Sequence, residues 1–460
     1  MLTLSSLNLF HLFKSILLIF ILMNKSIQLL VVLLGINVFA GAQAINPLLA
    51  GRLQQIIDSV RIANNYKGVS AAIIFPTQGS WQGVSGISHP GTLISPGMAM
   101  GIASNTKLFT AVLLLKLAEN NLIRLDDSLH SYLPAYPNIN PDITIRQLLN
   151  QTSGLDDVTH IPGYGDSMLS NPNRIFTAAE MMAWAGPPLF APGTDWNYCN
   201  TNYLLAAMIA EQVTGRSYSA LLRDSILTPL QLDSTYLDVY ETGLSPIANP
   251  WQAGVNNMSI PRTSVNSAAW SAGAMYSTAT EMTQWYQALL NGDVLSPASL
   301  TEMTTFVGSG DYGMGIARGT VNNRIIWYHG GQIWGGYNSS MMYDPATGII
   351  IAVLINQLPA QAYQLAFQLL FTLVEFPVGM GEVGSYPAEG MLYPNPAGDW
   401  ITIPVSSAAS SLLIQVYDVT GVLMKETTET QFSVAGLPKG IYMVSVHGSN
   451  GSVKHKLLKQ

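Results

Sequence analysis

The chain has 460 residues, more than one ordinary domain needs, so its length predicts two or three folded units. Apolar residues make up 48% of the chain and charged residues only 10%, which is ample material for a large buried core. The net charge of −7 gives the chain no positive potential that would attract nucleic acid. Its single cysteine excludes an intramolecular disulfide and a metal site built from several thiolates.

Residues 1–44 have the pattern of an export signal. From Met23 onward the order is Met-Asn-Lys, an apolar core from Ile27 to Phe39, and the small-x-small sequence Ala42-Gln43-Ala44. This order predicts a cleaved signal peptide, with Ile45 as the first mature residue and Met23 as a candidate true start. The alternative is a membrane anchor made of both apolar runs, although neither run alone reaches the roughly 18 uninterrupted apolar residues of a spanning helix.

The next predicted elements are a helix at 47–64 and two paired strands at 69–75 and 81–85. Ser104-Asn105-Thr106-Lys107 then precedes the apolar run 108–117. If that run is helical, Ser104 and Lys107 share one face at the helix N-terminus, where unpaired N–H groups and the dipole favour a developing negative charge. The alternative is a helix capped by Ser104, with a solvated lysine.

Two further short patterns follow in the chain. Tyr198-Cys199-Asn200 precedes the helical run 204–213, which ends at Thr214-Gly215. His329-Gly330-Gly331 follows the apolar strand 325–328. The alternative for the first pattern is turn chemistry before a helix, with Asn200 as the helix cap.

Predicted strands at both ends of residues 45–375 indicate the architecture of this part of the chain. A hairpin is predicted at 339–343 and 349–355, and residues 359–375 have apolar residues at helical spacing. Together with the N-terminal strands and the helical middle, they predict an α+β fold: an antiparallel sheet covered by terminal helices, beside an α-helical region. The three patterns would meet in the cleft between the two regions.

The composition changes after residue 375. Residues 376–391 are rich in Gly and Pro and lack periodicity, so they are a predicted linker. Residues 392–460 then contain short alternating runs separated by turns, which predict a small β-sandwich. The signals are Tyr393-Pro394-Asn395-Pro396, alternating Ile401, Ile403 and Val405, the run 412–417, the turn 418–421 and Gly440-Ile441-Tyr442. The predicted units are therefore 1–44, 45–375, 376–391 and 392–460.

The ordered set Ser-x-x-Lys, Tyr-x-Asn and His-Gly-Gly resembles the serine β-lactamase and penicillin-binding-protein superfamily. The resemblance is to the branch of class C β-lactamases, D-alanyl-D-alanine carboxypeptidases and related esterases. Residues 143–149, 152–155, 271–273 and 312–315 are similar to the same family, so the resemblance covers about residues 50–375. It implies the α+β fold of that family and a secreted serine hydrolase that acts through an acyl-enzyme.

The resemblance implies a role for each polar motif residue. Ser104 would be the nucleophile, Lys107 and Tyr198 would move its proton, and Asn200 would bind a substrate carbonyl. A free phenol titrates near about 10 and a free amine near about 10.4, so neither is a good base until a water-poor cleft shifts its pKa. The sequence leaves open which of the two takes the serine proton. Cys199, between them, is expected to be a packing residue.

The resemblance also places an oxyanion hole. It would consist of the backbone N–H groups of Ser104 and Gln332. Gly330 and Gly331 would let the substrate lie close against the strand, because they have no Cβ. No metal or other cofactor is expected, because the histidines form no His-x-His or His-Glu-x-x-His pattern. The absence of a Gly-x-Ser-x-Gly nucleophile elbow argues against an α/β-hydrolase.

His329 stands where β-lactamases of this branch carry a lysine. An imidazole is mostly neutral at pH 7, so capture of a substrate carboxylate would be weaker. Peptidases and esterases of the branch more often have His there, so the expected substrate is a small ester or a D-amino-acid amide or peptide. A true β-lactamase and a catalytically silent surface-binding protein are the alternatives, and the oligomeric state stays open.

The C-terminal region resembles the sorting domain of the type IX secretion pathway of Bacteroidetes-type bacteria. The resemblance rests on the Tyr-Pro-Asn-Pro start, the Gly-Ile-Tyr element and the basic end at Lys454, Lys456 and Lys459. It implies the type IX machinery as a partner, and export through the periplasm to the outer membrane, the cell surface or the medium. The alternative is an appended carbohydrate-binding or adhesive β-domain.

Overall fold

The computed structural model describes residues 45–333, 335–375, 392–403, 412–418, 423–448 and 451–459. The predicted export signal and linker lie outside these residues, as do Val405 and most of the predicted turn at 418–421. Contacts within the chain divide it into two units, with the division between Phe376 and Pro377.

An antiparallel sheet forms the centre of the first unit. In spatial order the sheet is β3-β2-β1-β12-β11-β10-β9, and two smaller sheets are β4-β8-β5 and β13-β6-β7. The strands are β1 (Gly68–Phe75), β2 (Gly79–His89), β3 (Thr92–Leu93), β4 (Met100–Gly101), β5 (Tyr236–Leu237), β6 (Trp251–Gln252), β7 (Val255–Asn256), β8 (Met275–Ser277), β9 (Ala317–Val321), β10 (Arg324–Ile333), β11 (Tyr337–Asp344), β12 (Ile349–Ile355) and β13 (Gln357–Leu358).

Strands from the two ends of this region pair directly, since Val69 of β1 lies opposite Ile355 of β12. The predicted strand pair at 69–75 and 81–85 is confirmed, and so is the predicted hairpin. β10 is longer than predicted and runs through His329, Gly330 and Gly331 instead of ending before them.

The helices of the first unit lie mostly between β4 and β9 in the sequence. They are α1 (Pro47–Ala63), α2 (Thr106–Glu119), α3 (Ile145–Leu149), α4 (Tyr164–Ser170), α5 (Ala178–Met182), α6 (Thr201–Thr214), α7 (Tyr218–Leu222), α8 (Thr263–Gly273), α9 (Ala279–Leu290), α10 (Pro297–Met303) and α11 (Ala362–Glu375). Within the described residues, no helix has the length and apolar character needed to cross a membrane.

Two apolar clusters cover the two faces of the large sheet. On one face, Leu53 of α1 and Leu369 of α11 pack with Ile73 of β1. On the other, Ala352 of β12 packs with the helical middle of the chain, including Trp285 of α9. Because both faces are covered, every residue of β1 and β12 is buried. The predicted α+β architecture, with terminal helices on one side and a helical region on the other, is confirmed.

Helix α2 lies inside the helical region. Its residues from Thr106 to Leu115 are all buried, including Lys107. Such a helix is apolar on every side, so it has no solvent-facing stripe on which a lysine would ordinarily lie. Lys107 therefore needs polar partners within the protein.

The second unit is built from strands alone within its described residues. These are β14 (Trp400–Thr402), β15 (Leu413–Asp418), β16 (Leu423–Thr427), β17 (Gln431–Ser433), β18 (Gly440–Gly448) and β19 (Gly451–Lys459). They form a pair, β14-β17, and a sheet, β16-β15-β18-β19. Ile401 and Phe432 of the pair share an apolar cluster with Ile414, Val444 and Leu457 of the sheet, as expected for a β-sandwich.

Candidate active site

Ser104 lies in a tight turn between β4 and α2. Ala103, Ser104 and Asn105 form a single 3₁₀ turn, in which Ala103 has a left-handed φ of 49°. Residues other than glycine seldom adopt this backbone conformation, and at Ala103 it turns the chain from strand β4 into helix α2. Lys107 is fully buried, so the alternative of a helix capped by Ser104 with a solvated lysine is wrong.

Lys107 is fully buried and reaches Ser104 from the first turn of α2. Its Nζ donates to Ser104 Oγ at 3.1 Å, to Asn200 Oδ1 at 2.7 Å and to the Ala272 carbonyl at 2.8 Å. Burial lowers the pKa of Lys107 to about 7, although the negative charge of Asp157 opposes that shift. The side chain is therefore a mixture of amine and ammonium near neutral pH, which an exposed lysine is not.

The aromatic ring of Tyr198 packs against the Lys107 amine. The Lys107 Nζ lies 4.9 Å from the centre of the Tyr198 ring. Burial raises the pKa of Tyr198 well above its ordinary value, and a hydrogen bond with Ser104 opposes the shift without cancelling it. The phenol is neutral at pH 7, so it is able to donate a proton but is not itself a base there.

Asn200 lies at the N-cap position of α6, in a helical rather than an extended conformation. Its side chain makes no capping bond and instead accepts from Lys107. Its amide nitrogen donates to Asp157 at 2.9 Å and to Thr159 at 3.1 Å. Both ends of the Asn200 amide thus have protein partners, and its role toward a substrate carbonyl stays a prediction.

His329 of β10 is only 5% exposed, and its ring lies beside that of Tyr198, with 6.1 Å between the ring centres. Its Nδ1 donates to the Gly330 carbonyl at 2.6 Å, which leaves Nε2 to accept from the Tyr312 hydroxyl at 2.9 Å. Burial lowers the pKa of His329 to about 3, and the Lys107 charge adds to that shift. The imidazole is therefore neutral at physiological pH.

The end of β10 passes close to the turn that carries Ser104. Of the described strands, β9 pairs with β10 only as far as Tyr328, so the edge beyond that residue has no β partner on that side. A Cβ on Gly331 would lie 2.3 Å from the Ile102 carbonyl oxygen, which explains the glycine. A Cβ on Gly330 would meet nothing nearer than 3.9 Å. Gln332 is the next residue along this free edge.

Gln151 forms a hydrogen bond with the backbone of the segment that carries Tyr198 and Asn200. The Gln151 Oε1 accepts from the backbone N–H of Cys199 at 3.0 Å and from the Asn202 amide at 2.6 Å. Cys199 itself is buried, and burial raises the pKa of its thiol to about 12. The thiol is thus protonated and enclosed, in agreement with a packing role.

The structure brings Ser104, Lys107, Tyr198, Asn200 and His329 into one cleft, and sequence reasoning missed two of their partners. Asp157 follows the Thr-Ser-Gly stretch by three residues, and Tyr312 begins the stretch 312–315. Both stretches resembled the family, but no pattern linked either residue to the cleft. Among the described residues, no group of three or more His, Cys, Asp or Glu could hold a metal ion.

The family described as Beta-lactamase matches residues 53–372, and the family described as Secretion system C-terminal sorting domain matches residues 391–460. The first match covers well over half of the chain. The chain belongs to the β-lactamase family. The predicted resemblance to β-lactamases and penicillin-binding proteins, with a type IX sorting domain at the C-terminus, is confirmed, and this second domain indicates export to the surface or the medium.

Solved structures of this β-lactamase-family fold include two amide-hydrolysing proteins. A D-stereospecific amidohydrolase from Streptomyces sp. is 29% identical, with a TM-score of 0.62, over 69% of this chain and 97% of that one. The D-amino acid amidase from Ochrobactrum anthropi SV3 is 26% identical, with a TM-score of 0.64, over 71% of this chain and 98% of that one.

Curated relatives match a smaller share of their own length. Protein flp of Staphylococcus aureus strain MW2 is 30% identical over 279 residues, 57% of this chain and 53% of flp. The putative penicillin-binding protein PbpX of Bacillus subtilis is 28% identical over 235 residues, 50% of this chain and 57% of PbpX. The chain thus spans little more than half the length of these curated relatives.

Proposed function

We propose that this protein is an exported serine hydrolase that forms an acyl-enzyme on Ser104. The observation that carries the proposal is the contact between Ser104 Oγ and a fully buried Lys107 whose pKa is lowered to about 7. A serine hydroxyl becomes nucleophilic when a neighbouring base takes its proton, and a desolvated amine is such a base.

In this mechanism Lys107 is the base and Tyr198 the proton donor. The neutral amine takes the Ser104 proton as Oγ attacks the substrate carbonyl. The backbone N–H groups of Ser104 and Gln332 stabilise the resulting oxyanion. Tyr198, kept protonated by burial, passes a proton to the leaving group and recovers it from Lys107. Water then attacks the acyl-enzyme along the reverse proton path.

The proposed substrates are D-amino-acid amides or peptides and small esters. The two amide-hydrolysing neighbours span nearly the whole of their own chains in the comparison, which supports this class. A neutral His329 provides no cation for a substrate carboxylate, which favours amides and esters without a carboxylate over β-lactams. A panel of short-chain esters, D-amino-acid amides, D-Ala-D-Ala peptides and a chromogenic cephalosporin ranks these classes directly.

Covalent labelling tests the proposal without a known substrate. A fluorophosphonate should add one adduct to the wild-type protein and none to Ser104→Ala, because the variant has no hydroxyl at that position. Ser80→Ala, which removes an exposed serine hydroxyl from β2, is the matched control and should label normally. An adduct on Ser104→Ala, or none on the wild type, would refute the assignment; the latter would favour a silent binding protein.

We propose that the type IX machinery recognises residues 392–460 and that the exported enzyme begins at Ile45. The match to a secretion sorting domain supports the first part, and the signal-like pattern before Ile45 supports the second. Deletion of residues 392–460 should leave labelling of the purified protein intact and keep the protein inside the cell. Full-length protein retained in the inner membrane with residues 1–44 attached would contradict this.

A further inference from the structure

Asp157 is a buried carboxylate behind the candidate catalytic group, and its side chain is only 2% exposed. Its Oδ2 accepts from the backbone N–H of Asn200 at 3.0 Å and from the Asn200 amide at 2.9 Å. Its Oδ1 accepts from the backbone N–H and the hydroxyl of Thr159, each at 2.9 Å. Two donors at each oxygen suit the ionised form, which only accepts hydrogen bonds.

These contacts fix which way the Asn200 amide points. A carboxylate accepts but does not donate, so the Asn200 nitrogen must face Asp157 and its oxygen must face Lys107. The opposite orientation would turn an NH₂ group toward the Lys107 amine and leave the carboxylate without that donor. Lys107 therefore receives an acceptor at 2.7 Å because Asp157 lies on the far side of the amide.

The segment that carries Asp157 is joined to the start of α6. Thr201 Oγ1 donates to the Asp156 carbonyl at 2.9 Å, and the backbone N–H of Val158 donates to Thr201 Oγ1 at 3.0 Å. The carboxylate thus lies at the N-terminus of α6, where the helix dipole stabilises negative charge. The buried Thr201 hydroxyl thus fixes the segment that carries Asp157 against the start of α6.

We propose that Asp157 is a positioning residue for the reaction, which holds the Asn200 oxygen against Lys107 and places a negative charge behind that amide. This rests on the proposed function of Ser104 and Lys107. With the charge present, Lys107 stays within reach of Ser104 and can both accept and return a proton near neutral pH. Without it, Lys107 loses its oriented acceptor and the negative charge that favours its ammonium form.

The groups facing Lys107 give the sign of the effect on its titration. Burial lowers the pKa of Lys107, whereas the negative charge of Asp157 raises it, and the Cys199 thiol is protonated and uncharged in this range because burial raises its pKa to about 12. The neighbouring rings of Tyr198 and Tyr203 and the imidazole of His329 are neutral near pH 7, because burial raises the pKa of both tyrosines and lowers that of the histidine. Removal of the Asp157 charge should therefore move the titration of Lys107 to lower pH.

The test is the rate of fluorophosphonate labelling at Ser104 between pH 5 and 9, measured on the mature full-length protein. For Asp157→Asn we expect a labelling rate at pH 9 about tenfold or more below the wild type. We also expect the acid limb of the profile to move to lower pH by about one unit, as for loss of an opposite charge a few ångströms away. A mutation that only destabilised the fold would lower the labelling rate without moving the acid limb of the profile to lower pH.

Asp238→Asn is the matched control. Asp238 is also a buried carboxylate, 6% exposed, but it accepts from Arg262 and Asn266 instead of from the Lys107 group. Its loss should reduce stability while the acid limb stays at the wild-type pH. If Asp157→Asn does not fold, Asp157→Ser takes its place, because it removes the same charge with a smaller side chain.

Three outcomes decide the matter. The positioning role is supported if the acid limb of the labelling profile moves to lower pH in the Asp157 variant and stays at the wild-type pH in Asp238→Asn. A wild type that labels at Ser104, together with an Asp157 variant whose limb stays or moves to higher pH, overturns that role and leaves the proposed function intact. A wild type that does not label at Ser104 overturns the proposed function, and the positioning role with it.

Discussion

The pH dependence of acylation should identify the base that takes the Ser104 proton. The sequence offered two candidates, Lys107 and Tyr198, and their surroundings shift them in opposite directions. Burial brings the pKa of Lys107 down to about 7 and raises the pKa of Tyr198 well above its ordinary value. Of these two candidates, Lys107 alone has an appreciable unprotonated fraction at neutral pH, so Lys107 and not Tyr198 can act as the base there.

The magnitude follows from that pKa of about 7. About half of the Lys107 side chains are neutral at pH 7, about one in a hundred at pH 5, and nearly all at pH 9. The value of kcat/KM should therefore fall about 50-fold from pH 7 to pH 5 and rise only about twofold from pH 7 to pH 9. His329 should add no second limb in this range, because its pKa is lowered to about 3.

The assay is kcat/KM for a short-chain ester across pH 5 to 9 at constant ionic strength, with labelling rates as a check independent of substrate. Lys116→Gln is the matched control: it also lies on α2, but its Nζ donates to the Val294 carbonyl and not to the cleft. This variant should keep the wild-type profile, whereas Lys107→Gln should lose activity throughout. A value of kcat/KM that still rises about tenfold per pH unit between pH 8 and pH 9, as it would if a group of much higher pKa such as Tyr198 were the base, would refute Lys107 as the base.

Two further predictions concern β10. A Cβ on Gly331 would lie 2.3 Å from the Ile102 carbonyl oxygen, so Gly331→Ala should lower the free energy of unfolding in urea by about 1–3 kcal/mol and slow the labelling of Ser104. A Cβ on Gly330 has open space, so Gly330→Ala should stay within about 0.5 kcal/mol of the wild type. Equal losses of stability in the two variants would contradict this packing argument. His329→Lys should raise the ratio of kcat/KM for a cephalosporin to that for a neutral ester by about tenfold to a hundredfold, since a charge-assisted hydrogen bond contributes about 1.5–3 kcal/mol. A flat ratio would show that residue 329 does not reach a substrate carboxylate.

Local patterns, together with the resemblance of three ordered motifs to a known family, predicted the fold and five of the side chains at the site. Short apolar runs bounded by turn residues predicted the paired strands at both ends of the first unit, because a strand that is covered on both faces is apolar along its whole length. The spacing of Ser104 and Lys107 predicted their contact, since residues three apart on a helix share a face. These features depend on neighbours along the chain, which a single sequence displays.

Only the tertiary structure decided how the cleft residues are paired and charged. Asp157 lies 50 residues from Lys107 in the sequence, and Tyr312 lies 17 residues from His329, so no local spacing connects either pair. The pKa shifts of Lys107, Tyr198 and His329 arise mainly from burial, which depends on everything packed around them. The sequence by itself determined which groups could do the chemistry, whereas long-range packing decided which of them is a base at neutral pH.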